Sequence, residues 1–342
     1  MTGSQQGWRE FNIYNNTAQG ADGNNDQQVE DDEVVYASGM NLFGNIQEEE
    51  EEEDMHFSFT VAGAGCSDAN GDTSASATEN KKTIEVTLKG FSDYTQSTGM
   101  AVWLGSEIVA TFMAQHPYLI RNKKVLELGS GLGLAGIVSH HLDSKKSILT
   151  DGDSLVLSDY LSFNAKMNDR RHTQVVSDGG GDPVVSTVTD DSTTSGQIGT
   201  MECHQLIWGH QGRSINDQAE DGIDQSPLVQ FRKNHGRFDV ILASDCTYMP
   251  QSVEPFWETI DFLLKRDDAG CTNTPPAKSP STPKLLYVME ASTQAKFEDI
   301  LDSAKRRGLE WTIDTMPTLE GTPQYEGKEH EIYTFWRSSE HY

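Results

Sequence analysis

The feature that most constrains the fold of this chain is a glycine-rich segment, VLELGSGLGLAG, at residues 125–136. It follows an apolar run typical of a short β-strand and leads into a run with the apolar spacing of a helix. Gly129, Gly131 and Gly133 allow a tight turn and a close approach of the backbone to a ligand, and the start of the helix offers free N–H groups to an anion. The segment therefore predicts an α/β fold with a ligand site where this strand ends.

The glycines alone do not identify the ligand of this turn. Gly131, Gly133 and Gly136 also satisfy the spacing of a dinucleotide-binding turn. Asp151 ends the next predicted strand, where a ribose hydroxyl acceptor is expected, and both NAD and S-adenosylmethionine present ribose hydroxyls. Glu127 favours S-adenosylmethionine, because a carboxylate attracts its cationic methionine end and repels a pyrophosphate.

Strands and helices alternate along most of the chain, which predicts a mostly parallel sheet with flanking helices, a Rossmann-like α/β fold. Alternating polar and apolar residues at 55–63 and 82–90 predict an N-terminal β-hairpin. Helical spacing of apolar residues predicts a helix at 100–115. The further predicted strands are 123–128, 147–151, 238–245, 284–291, 309–316 and 331–337, and the further helices are 134–142, 154–168, 253–265 and 294–308.

Composition divides the chain into regions. Residues 1–54 carry 14 acidic side chains against one arginine, which predicts a disordered acidic tail. We expect residues 55–98 to hold the hairpin with a long loop at 64–80, and residues 99–342 to form the ligand-binding domain. Polar stretches rich in Gly, Ser, Thr, Asp, Asn or Pro predict surface insertions at 177–200, 209–236 and 267–283.

The charge balance limits the partners. With 53 acidic against 26 basic residues, the net charge is −27, and a nucleic acid backbone would be repelled. A basic protein segment or a lysine side chain is the more natural partner. The sequence contains neither an apolar stretch of membrane-spanning length nor an apolar signal segment near its start, so we expect no membrane association.

The cysteines indicate the compartment. Cys66, Cys203, Cys246 and Cys271 are far apart and form no C-x-x-C pair, which argues against a zinc ribbon or a disulfide scaffold. We expect a monomer in a reducing compartment, the cytoplasm, with the nucleus as a second location.

Five motifs occur in a fixed order along residues 55–337. They are Gly99–Trp103, Glu127–Gly133, Asp151, Leu206–Trp208 and Asp245–Tyr248. Together they resemble the seven-β-strand protein-lysine methyltransferases, the group that includes the calmodulin-lysine, valosin-containing-protein-lysine and elongation-factor-lysine enzymes.

The resemblance implies a seven-stranded sheet, S-adenosyl-L-methionine as the cofactor, a protein substrate with a target lysine, and a reaction without a metal. It also bears on the third strand of the sheet, for which both 172–176 and 201–207 are candidates. The second candidate is preferred, because it places Trp208 at the end of the strand as in the family.

Carried over position by position, the resemblance implies two groups of site residues. Asp245 and Tyr248 are the catalytic candidates, which would orient the incoming amine and wall the lysine channel. The cofactor-binding candidates are Trp103, Glu127, Gly129, Gly131, Gly133, Asp151, Trp208 and Asp245. Simple structural roles stay open beside these: core packing for the two tryptophans and a surface turn for Tyr248.

Other functions remain as alternatives to lysine methylation. They are methylation of a protein histidine or a small molecule, a noncatalytic S-adenosylmethionine fold that acts as a binding module, and an NAD-dependent oxidoreductase. A labelled methyl-transfer assay separates the binding module from the enzymes, and stabilisation by NAD would indicate the oxidoreductase.

Overall fold

The computed structural model describes eight segments of the chain. These are residues 52–62, 82–91, 98–170, 199–209, 226–265, 282–290, 294–317 and 329–337. The chain divides into two units, Met1–Ser38 and Gly39–Tyr342, and every described residue belongs to the second. The predicted tail up to residue 51, the loop at 64–80 and most of the three predicted insertions lie outside the described residues.

Seven strands form the central sheet, and two more form a separate hairpin. The hairpin pairs β1 (Glu53–Val61) with β2 (Lys82–Gly90), antiparallel. The strands of the sheet are β3 (Lys124–Leu128), β4 (Lys146–Asp151), β5 (Thr200–Gln205), β6 (Val240–Ser244), β7 (Lys284–Val288), β8 (Leu309–Pro317) and β9 (Glu329–Arg337). Their order is β5-β4-β3-β6-β7-β9-β8; the first five are parallel, and β9 runs antiparallel to β7 and β8. The predicted Rossmann-like fold with an N-terminal hairpin is confirmed, and β5 overlaps the preferred candidate for the third strand, 201–207.

In the described part of the chain, six α-helices cover the sheet. They are α1 (Leu104–Gln115), α2 (Leu134–His141), α3 (Ser162–Met167), α4 (Pro227–His235), α5 (Pro250–Leu264) and α6 (Phe297–Arg306). Alternation of buried side chains along the buried strands gives each face its own core. One core joins the sheet to α1, α2, α3 and the hairpin, and the other joins it to α4, α5 and α6. Within the described residues, no helix combines the length and apolarity needed to cross a bilayer.

Two asparagines attach the hairpin to the domain, Asn164 in α3 and Asn168 directly after it. The side chain of Asn164 accepts from the amide of Lys89 at 2.8 Å and donates to its carbonyl at 3.0 Å. Asn168 repeats the pattern on Thr87, at 3.2 and 2.7 Å. Each amide side chain thus imitates a neighbouring strand and satisfies backbone groups along one edge of β2.

The first strand begins earlier than the sequence predicts. Strand β1 starts at Glu53, and Glu52 accepts a hydrogen bond from Tyr160 at 2.8 Å and forms an ion pair with Lys89. Hydrogen bonds from Lys89 and then Tyr160 lower the pKa of Glu52. The last acidic residues of the predicted tail therefore belong to the fold.

Deleting residues 1–51 is expected to leave the melting temperature and the cofactor affinity of the protein unchanged, because few apolar side chains in this segment could be buried. Deleting residues 1–61 is the control. It removes β1 with the buried Phe59 and Val61 and should lower the melting temperature clearly. If the protein without residues 1–51 melts at as low a temperature as the protein without residues 1–61, the domain boundary before residue 52 is wrong.

The sequence-based prediction of an insertion at 209–236 is wrong at its C-terminal end. Residues 227–235 form α4, whose Leu228 and Phe231 are buried in the second core. Ser226 caps this helix by accepting from the Val229 amide at 3.4 Å, and a proline occupies the first helical position. Ser-Pro before an apolar pair is a helix-start signal that the polar composition of the stretch obscured.

The helix predicted at 154–168 is not uniform. Residues Val156–Leu161 form a π-helical turn before α3 begins. The hydroxyl of Ser162 donates to the carbonyl of Leu157, five residues earlier, at 2.7 Å, which satisfies a carbonyl in the widened turn. The turn follows the end of β4 directly and so borders the candidate site.

Candidate functional site

The glycine-rich turn adopts a conformation that requires its glycines. After β3 ends at Leu128, the backbone enters the left-handed region three times, with φ of 62° at Gly129, 51° at Gly131 and 92° at Gly133. A β-carbon on Gly131 would stand 3.2 Å from the carbonyl oxygen of Gly99. Glycine at these three positions avoids the strain of a side chain in this backbone region, and at Gly131 it leaves room for Gly99.

Asp151, at the end of β4, holds this turn in place. Its Oδ2 accepts from the amide of Gly131 at 2.9 Å, and its Oδ1 accepts from the amide of Asp153 at 2.9 Å. Burial raises the pKa of this carboxyl above its usual range, against the lowering effect of the backbone donors. A carboxylate offers about four acceptor positions, so two accepted amides leave capacity for ribose hydroxyls.

Glu127 lies under the first turn of α2. Its side chain is 4% exposed, and Oε2 accepts from the amide of Gly136 at 3.0 Å. Burial raises its pKa to about 8. A cationic group brought close to this carboxyl would favour its ionised form. The contact with the methionine end of the cofactor stays a prediction.

Replacing Glu127 with glutamine is expected to remove a pH dependence of stability. The folded state holds the proton up to pH about 8, whereas the unfolded carboxyl ionises near its model value of 4.5. The stability due to the protonated carboxyl is therefore full below pH 4.5 and is lost as the pH rises to 8. The loss amounts to about 4–5 kcal/mol. Chemical unfolding at pH 5 and pH 8 measures it.

The exposed Glu85 supplies the matched control for this substitution. Glu85→Gln should keep the wild-type slope of stability against pH, and Glu127→Gln should flatten it. Equal slopes in the three proteins would contradict the buried, protonated state. Cofactor titration of Glu127→Gln separately tests the expected contact, since loss of the carboxylate should weaken binding of a cation.

Trp208 closes the turn from the other face of the sheet. Its ring lies 3.1 Å from the position of a β-carbon on Gly129 and packs edge-on against Phe256, with centroids 5.4 Å apart. Its Nε1 is buried and has no hydrogen-bond partner among the described residues. An unsatisfied buried donor costs about 1–3 kcal/mol, so a ligand acceptor at this position would be favoured. Trp208 therefore packs in the core and also leaves a donor beside the turn.

Asp245 connects three parts of the site. It follows β6, is 6% exposed and has a left-handed backbone with φ of 51°. Oδ2 accepts from the amide of Gly105 in the first turn of α1 at 3.1 Å, and Oδ1 accepts from the amide of Glu290 after β7 at 2.8 Å. A β-carbon on Gly105 would stand 2.3 Å from Oδ2, so only glycine allows this contact. The carboxylate positions the start of α1, an arrangement that the sequence did not reveal.

Trp103 and Tyr248 form a pair of nearly parallel rings. Their centroids are 6.0 Å apart, with 26° between the planes. The indole N–H of Trp103 donates to the carbonyl of Thr98 at 2.7 Å, and the hydroxyl of Tyr248 lies 3.4 Å from that of Thr98. The turn Thr98–Met100 thus connects this aromatic pair to the glycine turn, which Gly99 contacts.

Cys246 is not a nucleophile in this arrangement. It is buried, its Sγ donates to the carbonyl of Leu128 at 3.3 Å, and burial raises the pKa of the thiol far above its usual range. The thiol therefore stays protonated and packs beneath Gly129.

Sequence reasoning missed one acidic residue beside the site. Glu290 follows β7, donates its amide to Asp245, and its Oε1 lies 3.0 Å from Nδ1 of the buried His330 in β9. The signal was present, because an acid just after an apolar strand lies at the same edge as Asp245. Nothing in the sequence indicated that His330 would lie against it.

The predicted site residues therefore form two connected groups at the carboxyl edge of the sheet. The first group surrounds the glycine turn and contains Glu127, Asp151 and Trp208. The second lies at the start of α1 and contains Trp103, Asp245 and Tyr248, and the turn at Thr98 joins the two. The individual roles of these residues stay predictions.

Comparison with known proteins supports the first group. Residues 82–178 match the model of a family described as lysine methyltransferase. The chain is 27% identical over 176 residues to a calmodulin-lysine N-methyltransferase of Arabidopsis thaliana, covering 51% of this chain and 44% of that protein. It is 21% identical over 186 residues to a protein N-terminal and lysine N-methyltransferase of Yarrowia lipolytica, covering 50% and 64%. The predicted resemblance to protein-lysine methyltransferases is confirmed.

Two further similar proteins have names that give other methyl acceptors. A histone-arginine methyltransferase of Xenopus laevis is 24% identical over 168 residues, covering 49% of this chain and 53% of that protein. The structure of a magnesium protoporphyrin IX methyltransferase from Synechocystis with bound S-adenosylmethionine aligns with a TM-score of 0.35 and 13% identity, over 68% of this chain and 78% of that one. The chain spans about half the length of the curated relatives it matches, 44–64% of each.

The matched region contains part of the candidate site. Residues 82–178 include Trp103, the glycine turn and Asp151, while Asp245 and Tyr248 lie beyond it. This match bears out S-adenosylmethionine as the cofactor. The residues present fit the group: three glycines that leave the backbone of the turn bare, a carboxylate with acceptor capacity, and a buried indole donor with no partner among the described residues.

Proposed function

We propose that this chain transfers a methyl group from S-adenosylmethionine to the ε-amine of a lysine in a protein substrate. The observation that carries the proposal is the glycine turn of β3 tied to Asp151, at the edge where Asp245 and the Trp103–Tyr248 pair also lie. The names of the relatives support a protein substrate and a lysine acceptor.

The cofactor, when bound, supplies an electrophilic methyl group on a sulfonium. The chain would hold it through the backbone of the glycine turn, through Asp151 at the ribose and through the indole donor of Trp208. In the transfer, the amine lone pair forms a bond to the methyl carbon, the carbon–sulfur bond breaks, and S-adenosylhomocysteine leaves. The lysine proton goes to water before attack.

The second group of residues would receive the lysine. Parallel aromatic rings at Trp103 and Tyr248 provide walls for an aliphatic side chain with a cationic end. Asp245 and Glu290 place two acidic residues nearby, which attract an ammonium and repel anionic acceptors. Alignment of the acceptor in such a channel supplies several kcal/mol of the barrier.

The charge of the whole chain supports a cationic substrate segment. A net charge of −27 draws a basic region of a protein toward the molecule and does so more strongly at low salt. We accordingly propose a protein partner rather than a nucleic acid, with the enzyme acting as a monomer.

The test is a transfer assay on a protein extract with the methyl-labelled cofactor. The labelled proteins are hydrolysed and their amino acids separated, and we expect the label in methyllysine. Label confined to methylarginine or methylhistidine would identify arginine or histidine, and not lysine, as the acceptor. Label in small molecules alone would exclude a protein substrate. A protein that binds the cofactor and transfers no label to any acceptor would be the binding module.

A further inference from the structure

Three side chains with metal-binding atoms meet at the edge strand of the sheet, away from the methyl-transfer residues. Glu202 and His204 lie two residues apart on β5 and so share one face, and His235 ends α4. One ligand atom from each lies within 4.8 Å of the others. The three side chains are half-buried, so an ion could enter from solvent.

The spacing of these atoms is close to that of a metal site. Ligands roughly 2.0–2.1 Å from a tetrahedral zinc ion lie about 3.3 Å from one another. Nε2 of His204 and Oε2 of Glu202 are already 3.2 Å apart. The rings of His204 and His235 have centroids 4.5 Å apart at an angle of 62°, and the ligand atoms of the three side chains lie within 4.8 Å of one another.

We propose that Glu202, His204 and His235 bind a zinc ion. Two imidazoles and one carboxylate form a ligand set that suits zinc, with water in the fourth position. This site is separate from the proposed methyl transfer and goes beyond it.

The surroundings of the cluster favour a cation in two ways. His235 is the last residue of α4, where the carbonyl groups of a helix end create a negative potential. Phe231, one turn earlier, packs against both imidazoles, with centroids 4.5 Å from His235 and 6.2 Å from His204. The rings are thereby held on the same side of β5.

Two lysine charges oppose the ion, those of Lys124 and Lys146, and the contact of Lys146 provides a test. Lys146 on β4 places its Nζ 2.7 Å from Oε1 of Glu202 and leaves Oε2 to the histidine side. Its charge repels a metal, so removal of the charge should strengthen binding. Lys146→Met keeps most of the apolar stem of the side chain and is therefore a suitable variant.

The ion would join an edge strand to a helix. In the described sheet β5 pairs with β4 alone, and it leads into Leu206 and Trp208. Binding of zinc would fasten β5 to α4 and stabilise this side of the cofactor site by mass action on the folded state.

The experiment titrates zinc into the chain of 342 residues, freed of metal by a chelator, in a calorimeter. We expect saturable binding near one equivalent and a higher melting temperature with zinc. His235→Ala and Glu202→Gln should each raise the dissociation constant about tenfold or more, and Lys146→Met should lower it. His56→Ala, on the hairpin, is the matched histidine control and should bind as the wild type does.

A second readout uses cobalt as a probe. Cobalt bound in a tetrahedral site with nitrogen ligands should give a visible absorption band that both ligand variants lose. Glu202→Gln keeps the size of the side chain and therefore guards against a folding defect in the alanine variant. Absence of zinc binding to the wild type, or equal affinity in wild type, His235→Ala and Glu202→Gln, would overturn the proposal.

Discussion

Replacing Gly131 with arginine is expected to abolish binding of S-adenosylmethionine. Gly131 has a left-handed backbone, donates its amide to Asp151, and would carry a side chain into the space next to Gly99. Any side chain at this φ costs about 1–2 kcal/mol, and a long one also fills the approach to the turn. We expect a loss of affinity of at least about a hundredfold, which corresponds to about 2.7 kcal/mol.

The measurement is the melting temperature with and without cofactor. At a concentration of about a hundred times the dissociation constant, the cofactor stabilises the wild type by about 2.7 kcal/mol and should leave the arginine variant unchanged. Gly131→Ala is the matched control, because it carries the same backbone strain without the long side chain, and should retain part of the stabilisation. Equal stabilisation of wild type and arginine variant would disprove binding at this turn.

Replacing Asp245 with asparagine is expected to lower both stability and turnover. The carboxylate accepts from the amides of Gly105 and Glu290 through different oxygens, and an asparagine has one oxygen for two donors. The second amide would face an NH2 group and lose its partner, at a cost of about 1–3 kcal/mol. Asparagine tolerates the left-handed backbone at this position well, so the loss reports on the hydrogen bonds.

A partner variant separates positioning from direct contact with the substrate. Gly105→Ala pushes the carboxylate away by placing a β-carbon 2.3 Å from its oxygen, while the charge stays. If the charge attracts the incoming lysine, Asp245→Asn should lose about ten- to a hundredfold in turnover beyond Gly105→Ala when both are assayed well below their melting temperatures. Equal losses in kcat would show that Asp245 acts only by positioning α1.

The fold could be predicted closely because its signals are local and repeated. Apolar runs before the glycine turn, before Asp151 and before Asp245 have the length of buried parallel strands, and each is followed by a polar residue at the same edge. Strands β3, β4 and β6 follow directly from this pattern. The preference for 201–207 as the third strand came from the resemblance. The observed strand β5, Thr200–Gln205, overlaps this range and leads to Trp208.

Features that depend on distant contacts could not be predicted in the same way. The link from Asp245 to Gly105 joins positions 140 residues apart, and the pairing of Glu290 with His330 joins two strands that are antiparallel in the sheet. The asparagines that hold the hairpin are likewise invisible to hydrophobic periodicity. Helix α4 could have been predicted from the sequence, because Ser226 and Pro227 are a local helix-start signal. The polar composition of 209–236 was given more weight than this signal.

Glu127 illustrates how a correct motif leaves the chemistry open. Its place before the glycine turn suggested a charged carboxylate that faces the cofactor. Burial instead raises its pKa to about 8, against the lowering effect of the hydrogen bond from the Gly136 amide. Binding of a cationic group would then release a proton, a property that no spacing rule could have supplied.

The central claim is methyl transfer from the glycine-turn site to lysine, and its most direct test uses a purified substrate whose modified residue has been mapped in the extract. The chain of 342 residues is incubated with methyl-labelled S-adenosylmethionine and with the substrate either intact or with the mapped lysine replaced by arginine. Our account predicts label on the intact substrate in equal amount to the S-adenosylhomocysteine formed, no label on the arginine substrate, and no label from the Gly131→Arg enzyme. Label of undiminished amount on the arginine substrate, or from the Gly131→Arg enzyme, would contradict it.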